Sequence, residues 1–304
     1  MNIHHSTAIT PLRGRMIADM SARNLGPASQ SSHLRACKRF AAWLRRTPET
    51  ATPDDVKDFQ QHLIESGTSI CTRNQTMTGV KFLFRVTLRQ HDLVAEIFHL
   101  REPDRIPQVL SQKEVKRILA MAPNLKAKVM LSLAYGCGLR AGEVVRLKVG
   151  DIDSAQEIIR IVQAKGRKDR NVMLPLDILG LLRDWWKERL TGQDKGVPAP
   201  ERVLFPGYRG KHLSARQLSR LFLETAKAAA ITKPVTLHTL RHSFATHLLE
   251  RGVDIRVIQV LLGHSKLTTT ARYARVATGM ISAVDSPLDD LNLTKRKKGK
   301  VRPS

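Results

Sequence analysis

The chain has 304 residues, of which 42% are hydrophobic, and 51 Lys and Arg outnumber 27 Asp and Glu to give a formal net charge of +24 at pH 7. This length is typical of two domains with packed cores, and the excess of positive charge predicts a polyanionic partner. The three cysteines have no paired spacing, which argues against disulfides and a zinc site, and no apolar run approaches the length of a membrane span, so we expect a soluble intracellular protein.

The first hundred residues have the apolar periodicity of helices, with candidates at 12–24, at 28–44, after Thr52 and at 69–88. Thr52 is a suitable N-cap because a proline and two acids follow it directly. The last of these helices carries a row of basic side chains opposite its apolar side, namely Arg73, Lys81, Arg85 and Arg89. Taken alone, this row is compatible with a solvated surface as well as with a phosphate-binding surface. Because the apolar periodicity is helical throughout this region, we expect an all-helical domain at 12–98.

A polar stretch with two prolines at 99–110 is typical of a linker, and a second domain is expected at 111–284. Residues 127–135 are almost continuously apolar and predict a core helix, which ends at a Gly-Cys-Gly sequence. Arg140 follows that stop, and Glu143 lies three residues on, where a carboxylate can orient the guanidinium.

A β-hairpin is predicted next, because 157–163 alternates with β-branched residues and 171–174 is a second short apolar run. The turn between the strands, A-K-G-R-K-D-R, is basic and suits a DNA groove; its cations include Lys165, Lys168 and Arg170. Helices are predicted at 175–190 and 214–229, and the second presents two basic side chains, Arg216 and Arg220. The tail at 285–304 ends in a run of Lys and Arg that adds non-specific attraction to DNA.

The chemistry of the chain concentrates between His238 and Tyr273, where three short helices with sharp stops are predicted. His238 and Arg241 are three residues apart and share one helical face, and the fork of such an arginine is free to bind a planar oxyanion such as phosphate. His264 follows a glycine on a turn, and Tyr273 offers a hydroxyl nucleophile. A phosphoryl-transfer site needs a second cation and a proton donor as well, and two residues upstream can supply them: Arg140 and Lys165.

Other interpretations of these side chains are less favourable. His238 and His242 are four residues apart, but no carboxylate or third ligand completes a metal site, so we expect no metal. We expect His242 and His247 to be structural. Tyr273 stands among basic neighbours, A-R-Y-A-R, which argues against a buried core tyrosine.

The order Arg140, Lys165, His238-x-x-Arg241, His264, Tyr273 resembles the tyrosine recombinases, that is, phage integrases and Xer-type recombinases. The flanking sequences agree: G-L-R-A-G-E, L-R-H-S-F-A-T-H and L-L-G-H-S. The resemblance implies a mainly α fold with a small β-sheet. A helical, SAM-like core-binding domain and an α+β catalytic domain would form a C-shaped clamp on DNA.

The resemblance also implies roles for the candidate residues. Arg140 and Arg241 would hold the non-bridging oxygens of a DNA phosphate, and His238 and His264 would donate hydrogen bonds to the same oxygens. Tyr273 would attack phosphorus and form a 3′-phosphotyrosine link, while Lys165 would protonate the leaving 5′ oxygen. Glu143 would support the first arginine. Since the covalent link conserves the bond energy, no cofactor is expected.

The expected partner is double-stranded DNA, bound by a homotetramer whose free form is a monomer or weak dimer, with no membrane association. The expected role is integration or transposition of a mobile element, with chromosome-dimer resolution as the alternative, in the cytoplasm of a bacterium and in association with the nucleoid. In this context the basic residues outside the site are expected to contact DNA: Arg73, Lys81, Arg85, Arg89, Lys168, Arg170, Arg216 and Arg220.

Two alternatives stay open at this point. A type IB topoisomerase-like nicking and closing enzyme would use the same chemistry without strand exchange. A DNA-binding regulator on the same scaffold would need neither Tyr273 nor Lys165. A covalent adduct with DNA excludes the regulator, and recombination between two duplexes excludes the topoisomerase.

Overall fold

The computed structural model of the chain describes residues 10–103, 106–162, 169–189, 192–207, 212–264, 267–271 and 273. The chain divides into two compact units, Met1–Asp104 and Arg105–Ser304. The predicted linker spans this division, and the predicted basic tail lies outside the described residues. Within the described ranges, no helix is both long enough and apolar enough to cross a membrane.

The first unit is helical where it is described, as its apolar periodicity predicts. Its α-helices are α1 (Pro11–Ala22), α2 (Pro27–Leu44), α3 (Pro53–Glu65), α4 (Ile70–Phe82) and α5 (His91–Ala95). A 3₁₀ turn lies at Pro48–Thr50, and α4 continues as a π-helical segment at Leu83–Leu88. Thr52 begins α3 with the predicted cap, because its side chain accepts from the Asp55 amide and Asp55 accepts from the Thr52 amide at 2.7 Å.

Aromatic packing forms the core of this unit. The Phe40 ring meets the rings of Phe59 and Phe84 edge-on, with centroids 5.0 and 5.7 Å apart, and all three side chains are fully buried. Helices α2 and α4 approach closely at Gly79, where a Cβ would lie 2.5 Å from the Ala36 Cβ. Glycine is therefore required at this helix crossing.

The second unit combines helices with one small antiparallel sheet. Its α-helices are α6 (Gln112–Ala120), α7 (Leu125–Gly136), α8 (Ala141–Arg146), α9 (Leu176–Glu188), α10 (Ala215–Ala228), α11 (Leu237–Glu250), α12 (Ile255–Leu262) and α13 (Leu267–Ala271). Its strands are β1 (Ile152–Asp153), β2 (Ile158–Ile161) and β3 (Arg170–Met173), in the order β1-β2-β3. Further 3₁₀ turns lie at Val149–Asp151, Gly192–Asp194 and Ala199–Glu201.

The predicted hairpin is present as β2 and β3, with Ile159 paired to Val172 and Ile161 to Arg170. Ile159 and Ile161 face the core while Arg160 between them is exposed, which is the alternation that predicted the strand. The short strand β1 was not predicted. The fold is thus mainly helical with a small sheet, and the predicted fold class is confirmed.

Helix α11 lies at the centre of the second unit and packs against α7, α10 and α12. Most of its residues are buried, including polar ones such as Arg241 and Ser243. Two residues after the end of α7 lies Gly138, whose φ of 61° favours glycine and where a Cβ would lie 2.5 Å from the Phe244 ring. Because of this tight turn, Arg140 begins α8 beside the buried face of α11.

Candidate active site

The Arg241 guanidinium is the most buried charge of the site, with 0% of the residue exposed. It donates to the carbonyl oxygen of Gly138 at 2.5 Å, to the carbonyl oxygen of Leu262 and to His264 Nε2 at 3.3 Å. Both Nη atoms of Arg241 therefore already donate, and the prediction that its fork is free is wrong for them. Its Nε–H has no partner among the described residues. Burial and then the charge of Arg140 lower the pKa of Arg241 to about 9, and it is therefore charged at neutral pH.

Glu143 supplies the negative charge that offsets this cluster. Its carboxylate is 4.0 Å from Arg241 Nη1 and accepts from Arg140 twice, from Nη1 and from the backbone amide, each at 2.8 Å. Burial raises the pKa of this carboxyl, but the hydrogen bonds and charge of Arg170, followed by the hydrogen bonds of Arg140, outweigh it and lower the pKa to about 2. The buried carboxylate is thus ionised throughout the neutral range and orients Arg140 as expected.

Arg170 was predicted to contact DNA, but in the structure its side chain is buried against Glu143. Its side chain is only 6% exposed, and its Nη1 and Nη2 donate to the two oxygens of Glu143 at 2.9 and 2.8 Å. Its Nε donates to the Leu261 carbonyl oxygen at 2.8 Å. Gly263 makes room for it, since a Cβ there would lie 2.9 Å from Arg170 Cδ. Arg170 therefore joins β3 to the start of α8 and the end of α12.

His264 follows α12 on the turn that Gly263 forms with a φ of 60°. Burial, followed by the charges of Arg241 and Arg140, lowers the pKa of His264 to about 3, so the ring is neutral at pH 7. An arginine can only donate, hence Nε2 accepts from Arg241 and the proton lies on Nδ1, which donates to Thr270 Oγ1 at 3.0 Å.

Tyr273 lies inside this cluster rather than on a basic surface. It is 2% exposed and packs with apolar side chains that include Phe244 and Leu262, so the prediction of a mainly basic environment is wrong. Its hydroxyl is 3.1 Å from His242 Nδ1, and its ring stacks with His264 at a centroid distance of 6.3 Å.

His238 is exposed and lies at the edge of the cluster, with its ring 4.6 Å from that of His242. Arg140 is partly buried, with a side chain that is 22% exposed. The structure thus brings together five of the predicted catalytic residues: Arg140, His238, Arg241, His264 and Tyr273. Lys165 and Lys168 lie outside the described residues. In the part of the chain that is described, no three His, Cys, Asp or Glu side chains gather as metal ligands would.

The predicted basic row of the first unit separates into two places. Lys81, Arg85 and Arg89 line one open cavity of about 690 Å³, together with Arg23. Arg73 is partly buried and lines a different, mainly apolar cavity. In the second unit, Arg216 and Arg220 are exposed on α10, and Arg220 is 3.8 Å from Glu224.

Two residues, His242 and Arg170, make contacts in the structure that the sequence analysis did not predict. His242 was expected to be structural, yet it contacts the Tyr273 hydroxyl; His247, with the same expectation, is buried against Tyr135 at 2.9 Å. Arg170 was expected on DNA and instead holds Glu143. A signal for His242 was present, because it lies beside Arg241 and one helical turn after His238.

Comparison with known proteins follows the same division of the chain. A profile of the phage integrase family matches residues 108–280, and a profile of the phage integrase N-terminal SAM-like domain matches residues 12–91. A Sinorhizobium fredii protein with the provisional name integrase/recombinase y4qK is 38% identical over 95% of this chain and 92% of its own length. Tyrosine recombinase XerD of Pseudomonas aeruginosa is 32% identical over 90% of this chain and 95% of its own length.

Solved structures have the same fold. The XerH site-specific recombinase in a post-cleavage complex with palindromic difH DNA matches with a TM-score of 0.67 and 20% identity, over 89% of this chain and 83% of that one. A lambda integrase dimer bound to a COC′ core site matches with a TM-score of 0.67 and 21% identity, over 86% of this chain and 92% of that one.

Proposed function

This chain belongs to the phage integrase family of tyrosine recombinases and is a site-specific DNA recombinase, and we propose that it cleaves and rejoins DNA through a 3′-phosphotyrosine link at Tyr273. One observation supports this assignment most. The Tyr273 hydroxyl lies in the same cluster as Arg140, Arg241 and His264, within a single chain. A nucleophile and two cations in one buried cluster suit attack on a phosphodiester.

Arg140 and Arg241 would hold the non-bridging oxygens and stabilise the charge that develops on them. Glu143 keeps both guanidinium groups in place, and Arg170 keeps Glu143 in place. Arg241 contributes its Nε–H, which has no hydrogen-bond partner in the described part of the chain. Since Arg241 and Tyr273 are 0% and 2% exposed, the phosphate can reach them only after a local rearrangement of the groups that cover them.

Proton transfer completes the reaction. Tyr273 loses a proton as its oxygen attacks phosphorus, and the leaving 5′ oxygen gains one, which the family resemblance assigns to Lys165. His238 lies at the exposed edge of the cluster, where it can donate to a phosphate oxygen. His264 can do the same once its proton is on Nε2, because that atom at present accepts from Arg241. In the reverse step a 5′-hydroxyl from a partner duplex displaces Tyr273.

DNA is the partner of this recombinase, and we propose that the cavity lined by Lys81, Arg85 and Arg89 contacts its backbone. Arg216 and Arg220 are exposed and can do so from the second unit. We further propose a homotetramer on two DNA sites, since the lambda integrase neighbour is a dimer on one core site. The integrase/recombinase names of the relatives favour a mobile element as the biological context.

Neither alternative function is favoured, because relatives that cover 90% or more of this chain are named integrase/recombinase or tyrosine recombinase. Covalent capture tests the proposal. DNA fragments selected by binding are nicked near the cleavage site, so that the 5′-hydroxyl fragment diffuses away after cleavage. We expect an SDS-resistant protein–DNA adduct with the native protein and none with Tyr273→Phe. Tight binding of the selected DNA without an adduct would contradict the mechanism and support the regulator.

A further inference from the structure

The imidazole of His242 contacts the proposed nucleophile and has no role in the reaction described so far. Its Nδ1 lies 3.1 Å from the Tyr273 hydroxyl, and the two ring centroids are 5.5 Å apart. His242 is half-buried, and its ring also lies 4.6 Å from the exposed ring of His238. The three side chains therefore form a row from the surface to the nucleophile.

A phenol with a pKa of roughly 10 is a weak nucleophile at neutral pH unless a base accepts its proton. The neighbouring cations Arg140 and Arg241 cannot accept, because a guanidinium carries only donors. Glu143 is occupied by Arg140 and Arg170. His264 cannot accept either, since its Nε2 is bonded to Arg241 and its Nδ1 carries the proton toward Thr270.

We infer that His242 is a further catalytic residue, whose Nδ1 accepts the hydroxyl proton of Tyr273 during cleavage and returns it during rejoining. This inference rests on the proposed function of Tyr273. In cleavage the Oη–H bond breaks and an Nδ1–H bond forms, while the Oη–P bond forms and the bond from phosphorus to the 5′ oxygen breaks. The 5′ oxygen takes its proton from the group proposed for that step, Lys165. Rejoining reverses each change, so protons and electrons balance without any further reactant.

The position of His242 on α11 suits this role. It directly follows Arg241, so one helix carries both the cation for the phosphate and the acceptor for the nucleophile's proton. It lies four residues from His238, on the same side of the helix. A rigid, largely buried helix fixes the positions of Arg241 and His242 relative to each other more closely than a loop would.

Two substitutions separate proton acceptance from simple positioning. His242→Asn places an amide near the position of Nδ1, which can hydrogen-bond Tyr273 but cannot take up its proton at neutral pH. His242→Phe removes both properties. His62→Asn is the matched control, because His62 is an exposed histidine on α3 of the first unit that packs beside Trp43.

The first measurement is single-turnover cleavage at saturating DNA, with substrates whose leaving atom is oxygen or sulfur. Sulfur leaves without a proton, so it rescues loss of a general acid but not loss of a base. We expect both His242 variants to cleave at least about 100-fold more slowly on both substrates, with unchanged DNA affinity, while His62→Asn cleaves normally. The substrate with a sulfur leaving atom is expected to restore cleavage by Lys165→Ala.

Each contrary result has a distinct meaning. Rescue of His242→Asn by sulfur would move the residue to the leaving-group side and overturn the inference. Cleavage by His242→Phe at the native rate would show that His242 is not needed, and faster cleavage would show that it holds Tyr273 in an unreactive position; either result overturns the inference. If native protein forms no adduct on DNA that it binds, the proposed function fails, and this inference fails with it.

A second measurement needs no DNA and tests the contact itself. With ¹³Cζ-labelled tyrosine the chain gives three signals, one for each of its 3 tyrosines, and Tyr273→Phe identifies the relevant one. We expect His242→Phe to shift that signal alone and His242→Asn to leave it close to its native position. A signal that does not move in His242→Phe would show that the contact is absent in solution and would overturn the inference.

Discussion

Replacing Glu143 by glutamine removes the carboxylate that Arg140, Arg170 and Arg241 share. The Glu143 side chain is 3% exposed, and it is bonded to Arg140 and Arg170 and lies 4.0 Å from Arg241. A pKa lowered from 4.5 to about 2, at about 1.4 kcal/mol per pKa unit, corresponds to about 3 kcal/mol of stability at pH 7. This value agrees with the cost of removing one partner from a buried ion pair, which is about 3–5 kcal/mol.

The sign of the pH dependence follows from the lowered pKa. The contribution of Glu143 is complete above pH 4.5 and is lost as the pH falls toward about 2. We therefore expect Glu143→Gln to lower the free energy of unfolding by about 3 kcal/mol at pH 7 and by about 2 kcal/mol at pH 3.5.

Urea unfolding followed by tryptophan fluorescence measures this difference. Trp43→Phe is introduced into every variant, so that only Trp185 and Trp186 of the second unit report. Glu224→Gln is the matched control, because its ion pair with Arg220 is exposed and should contribute less than about 1 kcal/mol. A loss below about 1 kcal/mol for Glu143→Gln, or an equal loss at both pH values, would refute the reasoning.

Further predictions concern the arginine contact, its neighbouring glycine and the basic cavity. Arg170→Lys cannot form the forked contact with Glu143, so we expect DNA cleavage to slow by about tenfold or more. The salt dependence of DNA affinity should stay unchanged, and a weaker salt dependence would show that Arg170 contacts DNA as the sequence predicted. Gly263→Ala should lower stability by about 1–2 kcal/mol in thermal unfolding, because of its positive φ and the contact of the new Cβ with Arg170. In DNA-binding titrations over a range of salt concentrations, the negative slope of log K for DNA binding against log salt should become shallower by about 3 for a triple glutamine variant. It should stay unchanged for Arg73→Gln. The triple variant replaces the residues that line the basic cavity, Lys81, Arg85 and Arg89.

Local sequence patterns predicted much of the fold, because the relevant forces act over a few residues. Thr52 caps its helix as expected, Gly263 ends α12 in a left-handed conformation, and Gly138 adopts the same conformation two residues after α7. Alternation within 158–161 identified β2. The two residues of β1 are too few to show a period, so the strand could not be predicted.

The site was predictable as a set of residues but not as a set of contacts. Arg170 is 27 residues from Glu143 in sequence, so nothing local distinguishes it from the neighbouring lysines of the hairpin. His242 meets Tyr273 across 31 residues. Tyr273 has basic neighbours along the chain but apolar neighbours in space, since the turn after α12 returns it to the core beside Phe244. Such contacts depend on tertiary packing, which periodicity does not specify.

The central claim is that Tyr273 is the nucleophile of a site formed with Arg140 and Arg241. The most direct test is mass spectrometry of the covalent adduct after digestion of the DNA and the protein. We predict that the residual nucleotide is attached to the peptide that contains Tyr273. Attachment to Tyr135, Tyr208 or any other residue would contradict the account.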